Sequence, residues 1–354
     1  MHAASAFPAL AAALLFGAST PIAKLLVGDV APLLVAGLFY LGSGIGLAVV
    51  LAVRRATARA PDATVSTRIP AADWPWLAVA VVFGGLLGPA MLMSGLARTD
   101  AASASLLLNV EGVLTAVLAW VVFRENADRR IVLGMAAIVA GGVLLAWEPG
   151  AASLSVGALL VLGACLCWAV DNNLTRKVST NDAVLIACVK GLVAGAGNTL
   201  LALSGGASLP ALSTVAVAGA VGFLGYGVSL ALFVVGLRTL GTTRAGAYFS
   251  VAPLFGVALS LAIWPRVPEP LFWLAAALMG VGLWLHLSER HDHVHTHEPL
   301  AHSHPHRHDE HHRHAHEAGM AVTEPHTHLH RHEALTHKHP HYPDVHHRHG
   351  HGAG

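Results

Sequence analysis

Apolar residues run along this chain in long blocks separated by short polar links. A helix needs about twenty consecutive apolar residues to cross a bilayer. Ten runs meet or approach that length: 7–27, 33–53, 75–97, 101–123, 131–147, 156–175, 183–203, 213–236, 245–264 and 271–287. The runs at 131–147 and 271–287 are the shortest. Most links are brief, which suits a bundle of antiparallel neighbours; the exception is 54–73, with Pro61, Pro70 and Asp73. From residue 288 the pattern ends. No apolar periodicity supports a core there, and the segment is expected to be disordered.

Composition agrees with the blocks. Hydrophobic residues make up 55% and charged residues 12% of the 354, against about 25% charged in ordinary soluble proteins. The body before residue 288 holds only eleven acids and fifteen Lys/Arg. A soluble protein of that size could not cover its surface with so few charges, so the body is expected to be a polytopic membrane protein whose first partner is the lipid bilayer. The net charge of +1 hides regional segregation, and no strong nucleic-acid footprint is present. Cys165, Cys167 and Cys188 all fall inside apolar runs. An odd count without framework spacing argues against a disulfide scaffold. No Lys or Arg precedes Lys24, so the first run lacks the basic start of a cleavable signal and is read as a retained span.

Basic residues orient the spans. With a cytoplasmic N-terminus, the inner links hold Arg54, Arg55, Arg59, Arg68, Arg124, Arg129, Arg130, Arg176, Lys177, Arg238 and Arg244, while the outer links hold only Arg98 and Arg266. Eleven against two follows the positive-inside rule. Ten spans then return the C-terminus to the cytoplasm, in a cell inner (plasma) membrane.

The two halves resemble each other. Gly95–Thr99 through Leu108–Val113 aligns with Gly236–Thr239 through Phe249–Leu254 when one residue is inserted after the shared Arg–Thr. Phe16–Gly17–Ala18 loosely matches Cys167–Trp168–Ala169. A five-helix unit used twice must point opposite ways, because five is odd; that is the inverted repeat of many secondary transporters. The expected fold is therefore all-α: ten transmembrane helices as two inverted five-helix repeats, 1–147 and 148–287, plus a tail at 288–354.

The stretch Ser103–Ala104–Ser105–Leu106–Leu107–Leu108–Asn109–Val110–Glu111–Gly112–Val113, followed by Ala119–Trp120 and Arg124–Glu125, resembles the helix-4 signature of EamA-type carriers in the drug/metabolite transporter superfamily. The resemblance spans roughly residues 8–287. It implies transport of small metabolites or amino-acid-like solutes. The family's usual Glu–Pro pair is divided here: Glu111–Gly112 keeps the acid, and Ala252–Pro253 keeps the proline.

Four charged residues fall at membrane depth, Lys24, Glu111, Asp171 and Lys190, where each costs roughly 2.5–3.5 kcal/mol to insert. Glu111 is mid-helix, within a turn of Asn109 and Thr115, and has nowhere to snorkel. It is either a titratable or ligand-binding group or a structural acid. Asp171–Asn172–Asn173 is the most polar triplet of the body, and its oxygens suit a cation, an amine or a zwitterion. Lys190 lies two turns into its helix with Asn198 on nearly the same face, open either to an acid or to an anionic substrate. Lys24 can snorkel. Tyr226 and Tyr248 are further cavity candidates.

The tail holds 23 of the 25 histidines. They repeat as His-x-His at His291, His293, His295 and His297, at His302, His304, His306 and His308, and at His326, His328, His330 and His332. Neutral imidazole is the commonest metal ligand, and flexible chain can gather several rings around Zn²⁺, Ni²⁺, Co²⁺ or Cu²⁺. No cofactor is required by the body. The leading expectation is a secondary carrier using Glu111 and Asp171. The alternatives are a divalent-metal transporter served by the tail, or a membrane-anchored metal buffer or sensor. A homodimer stays open, and no nucleophile–base arrangement marks an enzyme.

Overall fold

The computed structural model describes residues 3–57, 69–123, 129–148, 153–178, 181–240, 248–287, 292–297, 300–306, 326–332 and 335–340. The body, to Glu289, is one compact unit and the remainder a second. The body is helical: α1 (Ala3–Leu26), α2 (Pro32–Thr57), α3 (Ala71–Leu96), α4 (Ala101–Leu107), α5 (Asn109–Phe123), α6 (Arg129–Ala146), α7 (Val156–Val178), α8 (Ala183–Ser204), α9 (212–240), α10 (Ala252–Ile263) and α11 (Pro270–Leu287). A two-residue pairing of β1 (Trp147–Glu148) with β2 (Ser153–Leu154) joins α6 to α7.

Seven helical segments among the described residues are long and apolar enough to cross a membrane. Three further apolar helices, Val132–Ala146, Ala252–Ile263 and Pro270–Leu285, are shorter. They correspond to the runs at 131–147, 245–264 and 271–287, two of which are the shortest in the sequence. Large apolar side chains cover the outside, among them Leu212, Val121, Phe7, Leu200 and Trp284, each more than 60% exposed. A water-facing surface could not carry that many, whereas lipid tails accept them.

Small residues let the helices approach closely. Gly44 of α2 meets Gly191 of α8: a methyl group on either would lie 2.7 Å from the other's backbone. That is inside contact distance, so only glycine fits on both sides. The core then fills with Leu34, Phe39, Leu92, Met93, Leu96, Cys165 and Trp168, all buried. Cys165, Cys167 and Cys188 are free thiols. Cys188 donates weakly to the Gly44 carbonyl at 3.5 Å.

Two departures from regular helix position the polar residues. α3 widens into π-helix over Val81–Leu87, and α9 does so over Phe223–Val228. Such widening frees carbonyls that must find other donors. In α3 the Gly84 carbonyl accepts from Tyr40 Oη and Trp168 Nε1, both at 2.9 Å, and the Gly85 carbonyl accepts from Asn198 Nδ2 at 2.8 Å. The second departure is a break. α4 ends at Leu107 and α5 restarts at Asn109, whose Nδ2 donates to the Leu106 carbonyl at 2.9 Å. The aligned stretch in the second half also breaks, as a turn at Ser250–Val251 just before α10, with Pro253 in the first turn.

Short strands occur among the described residues of the tail. Its described residues form β3 (Asp292–His297), β4 (Leu300–His306), β5 (His326–His332) and β6 (Leu335–Pro340), pairing antiparallel as β3–β6 and β4–β5. The register sets His293 opposite His339, His295 opposite His337, His302 opposite His330, His304 opposite His328 and His306 opposite His326. The pairing has a physical source: His-x-His has period two, which is the period of an extended strand. Intervening Thr296, Val294 and Thr336 add β-forming residues. His291 and His308 lie outside the described residues.

Candidate functional site

The break between α4 and α5 puts Glu111 in the first turn of a helix rather than mid-helix. Its backbone N–H bonds the Leu108 carbonyl at 3.1 Å. The side chain reaches α7, where Asn172 Nδ2 donates to Glu111 Oε1 at 2.9 Å and, more weakly, to Thr115 Oγ1 at 3.4 Å. Glu111 is half-buried and Asn172 exposed, so this pair is not sealed in the core. The Glu111 carboxyl is also within electrostatic reach of Asp171, Tyr40 and Tyr226.

Aromatic rings gather beside it. Tyr226 packs on Tyr40 at 5.3 Å, on Phe16 at 5.8 Å and on Phe39 at 6.0 Å between centroids. Phe249 joins Phe16 at 5.5 Å. Residues of α1, α2, α9 and the α10 approach thus meet in one aromatic cluster. Tyr248 is half-buried next to Phe249 in sequence.

Asp171 has a different partner. Lys190 Nζ donates to both carboxylate oxygens at 2.6 Å, and Thr175 supplies a hydroxyl to Asp171 Oδ1 at 2.9 Å and accepts from Lys190 at 3.3 Å. Both side chains are largely buried, 9% and 16% exposed. Each charge supplies the other's counter-charge where water is absent. A Cβ on Gly84 would collide with this carboxylate, so the glycine of the π segment makes room for the ion pair.

The seven sequence candidates therefore separate. Glu111 and Asn172 form the open pair, and Asp171 and Lys190 form the buried one. Asn173 bonds the Ala169 and Thr115 carbonyls at 2.9 and 3.2 Å, while Asn109 and Asn198 satisfy the backbone at the break and at the π segment. Asn198 Oδ1 and the neighbouring Thr199 Oγ1 are buried without a partner among the described residues. Lys24 bonds the Leu96 carbonyl. Tyr40, Trp168 and Thr175 were not singled out by the sequence. Trp168 and Thr175 flank the polar triplet on one helix, which was the available signal; nothing local marks Tyr40. Among the described residues no three His, Cys, Asp or Glu side chains gather to hold a metal ion.

Known proteins agree with a carrier. The sequence profile of the EamA-like transporter family matches residues 4–147 and again 155–288. An uncharacterized transporter of Methanothermobacter thermautotrophicus is 27% identical over 72% of this chain and 77% of its own length. The uncharacterized transporter YyaM of Bacillus subtilis is 25% identical over 57% of this chain and 70% of its own. A probable 4-amino-4-deoxy-L-arabinose-phosphoundecaprenol flippase subunit, ArnE of Pseudomonas aeruginosa, is 42% identical over 72 residues, covering 20% of this chain and 60% of that one. A crystal structure superposes with a TM-score of 0.55 at 17% identity, over 80% of this chain and 96% of the other, and shows the shared fold. With both halves of its body matched, this chain belongs to the EamA-like transporter family.

Proposed function

We propose that this multi-pass membrane transporter is a secondary carrier of a small organic solute, a metabolite or amino-acid-like molecule, working by alternating access. The observation that carries the reading is the Glu111–Asn172 pair: a half-buried carboxyl group at a helix break, bonded across to α7 and within electrostatic reach of Tyr40 and Tyr226. Carboxyl and amide groups give a solute charge and hydrogen-bond recognition, and the rings cover its apolar part. The helix break supplies irregular backbone where a cavity can tolerate it.

Two inverted halves, 1–147 and 148–287, fit the structural parallels. π-helix occurs in the third helix of each half, breaks occur at aligned positions, and the family profile matches twice. The excess of Lys and Arg on one set of links supports cytoplasmic termini in a plasma or inner membrane. Divalent metal as cargo gains no support from the family or from any cluster of ligands among the described residues. Uptake into proteoliposomes, with a panel of labelled amino acids, organic acids, amines and divalent metals, tests the reading with and without a pH gradient. Saturable flux of an organic solute is expected. Saturable metal flux with no organic flux would overturn it.

A further inference from the structure

A separate cavity of about 750 Å³ is lined from α1, the α3–α4 link, the end of α6, α10 and the α10–α11 link. That is within the range of small-molecule pockets, about 300–1,000 Å³. Glu111 and Asn172 are not among its lining residues. Arg98 and Arg266 are the only basic residues in the links expected to face outward, and they belong to different halves. The fold brings both to the wall of this one cavity, with Lys24 as the third cation.

These cations have donors to spare. Arg98 Nη1 gives one bond to the Ser94 carbonyl at 3.1 Å, and Lys24 gives one to the Leu96 carbonyl. A guanidinium carries five N–H donors and an ammonium three. Among the described residues neither arginine has an ion pair. Two acids also line the wall, Asp100 and Glu269. Asp100 accepts from the Ser103 N–H at 2.8 Å and so caps α4. Asp100 keeps its negative charge and lies within electrostatic reach of Lys24, so three cations face two carboxylates and the wall carries a net positive charge. Ser260, 2% exposed, sits in the cavity wall with its hydroxyl closed off from the open space and without a partner among the described residues. Trp147, Trp264, Leu261 and Phe272 make up the apolar side.

We infer that this cavity is an outer-face binding site for an organic anion, a carboxylate or phosphate monoester attached to an apolar body. Arg98 and Arg266 pair with the anionic oxygens, for which the planar guanidinium fork is well matched. Lys24 adds a third positive charge, and the rings hold the apolar part. The site is read by binding, so it stands or falls apart from the flux assigned to Glu111.

The test uses the full chain in phosphatidylcholine nanodiscs, with decyl phosphate as probe and decylammonium as control. Saturable decyl phosphate binding is expected, with decylammonium bound at least tenfold more weakly. Arg98→Gln and Arg266→Gln should each weaken decyl phosphate about tenfold, the loss of a charge-assisted hydrogen bond. Both arginines are exposed, so unchanged melting temperatures serve as the folding control. Competition by inorganic phosphate marks a soluble anion as the source, and competition by added phosphatidic acid, whose headgroup is a phosphate monoester, marks a lipid headgroup; either result supports the site. Equal binding of the two probes, absence of saturable binding, or full affinity in the folded double arginine variant would overturn it.

Discussion

The Asp171–Lys190 pair gives the most quantitative consequence of this fold. Lys190, its side chain 16% exposed beside Asp171, is left by Asp171→Ala with Thr175 at 3.3 Å as its remaining partner on α7. Removing one member of a buried ion pair costs about 3–5 kcal/mol, because the other charge is left uncompensated. Lys190→Ala should cost a similar amount by stranding the carboxylate beside Gly84. The double variant strands nothing, so it should be more stable than the sum of the single losses implies, with a coupling of about 3 kcal/mol. Unfolding of the purified protein in detergent, titrated with denaturant and followed by tryptophan fluorescence, reads all four corners of the cycle. Trp168 is a useful reporter, since it bonds the same Gly84 carbonyl region. Additivity within about 0.5 kcal/mol would show that the two charges are energetically independent, and the assignment of Asp171 to a structural pair would fail.

Other outcomes follow from single contacts. Gly84→Ala should destabilise the protein measurably, since the added methyl meets the Asp171 carboxylate; a melting temperature equal to wild type would refute that close approach. Gly191→Val should separate α8 from α2 at Gly44 and cost about 1–3 kcal/mol by overpacking, read as lower thermal stability in detergent. Truncation after Ser288 removes 23 histidines but no apolar helix; Zn²⁺ and Ni²⁺ binding by calorimetry should drop to the level of the bare body, with folding retained. Metal binding that survives truncation would move the ligands into the body.

Helices were legible because lipid enforces a simple rule: an apolar run of about twenty residues must bond its own backbone. The helix break near Glu111 and the π segments were not legible. Their cause is tertiary: Gly84 and Gly85 release carbonyls only because Tyr40, Trp168 and Asn198, from three other helices, arrive to bond them. Polarity singles out Asp171 and Lys190, yet their pairing depends on how α7 and α8 rotate against each other, which periodicity does not specify. The gathering of Lys24, Arg98 and Arg266 was hidden for the same reason, as they lie far apart in sequence. In the tail, the histidine alternation was read as ligand spacing, while the same alternation also has the period of a strand.

The central claim is that Glu111 contacts the transported solute or its coupling proton. Glu111→Gln keeps the volume and a hydrogen-bond acceptor for Asn172 Nδ2 while removing charge and titration. Once a solute is identified, its flux should be compared between wild-type and Glu111→Gln proteoliposomes across pH, with matched insertion and melting temperature. The account predicts loss of flux in the variant at every pH. Wild-type flux at every pH would contradict it and leave Glu111 a structural acid.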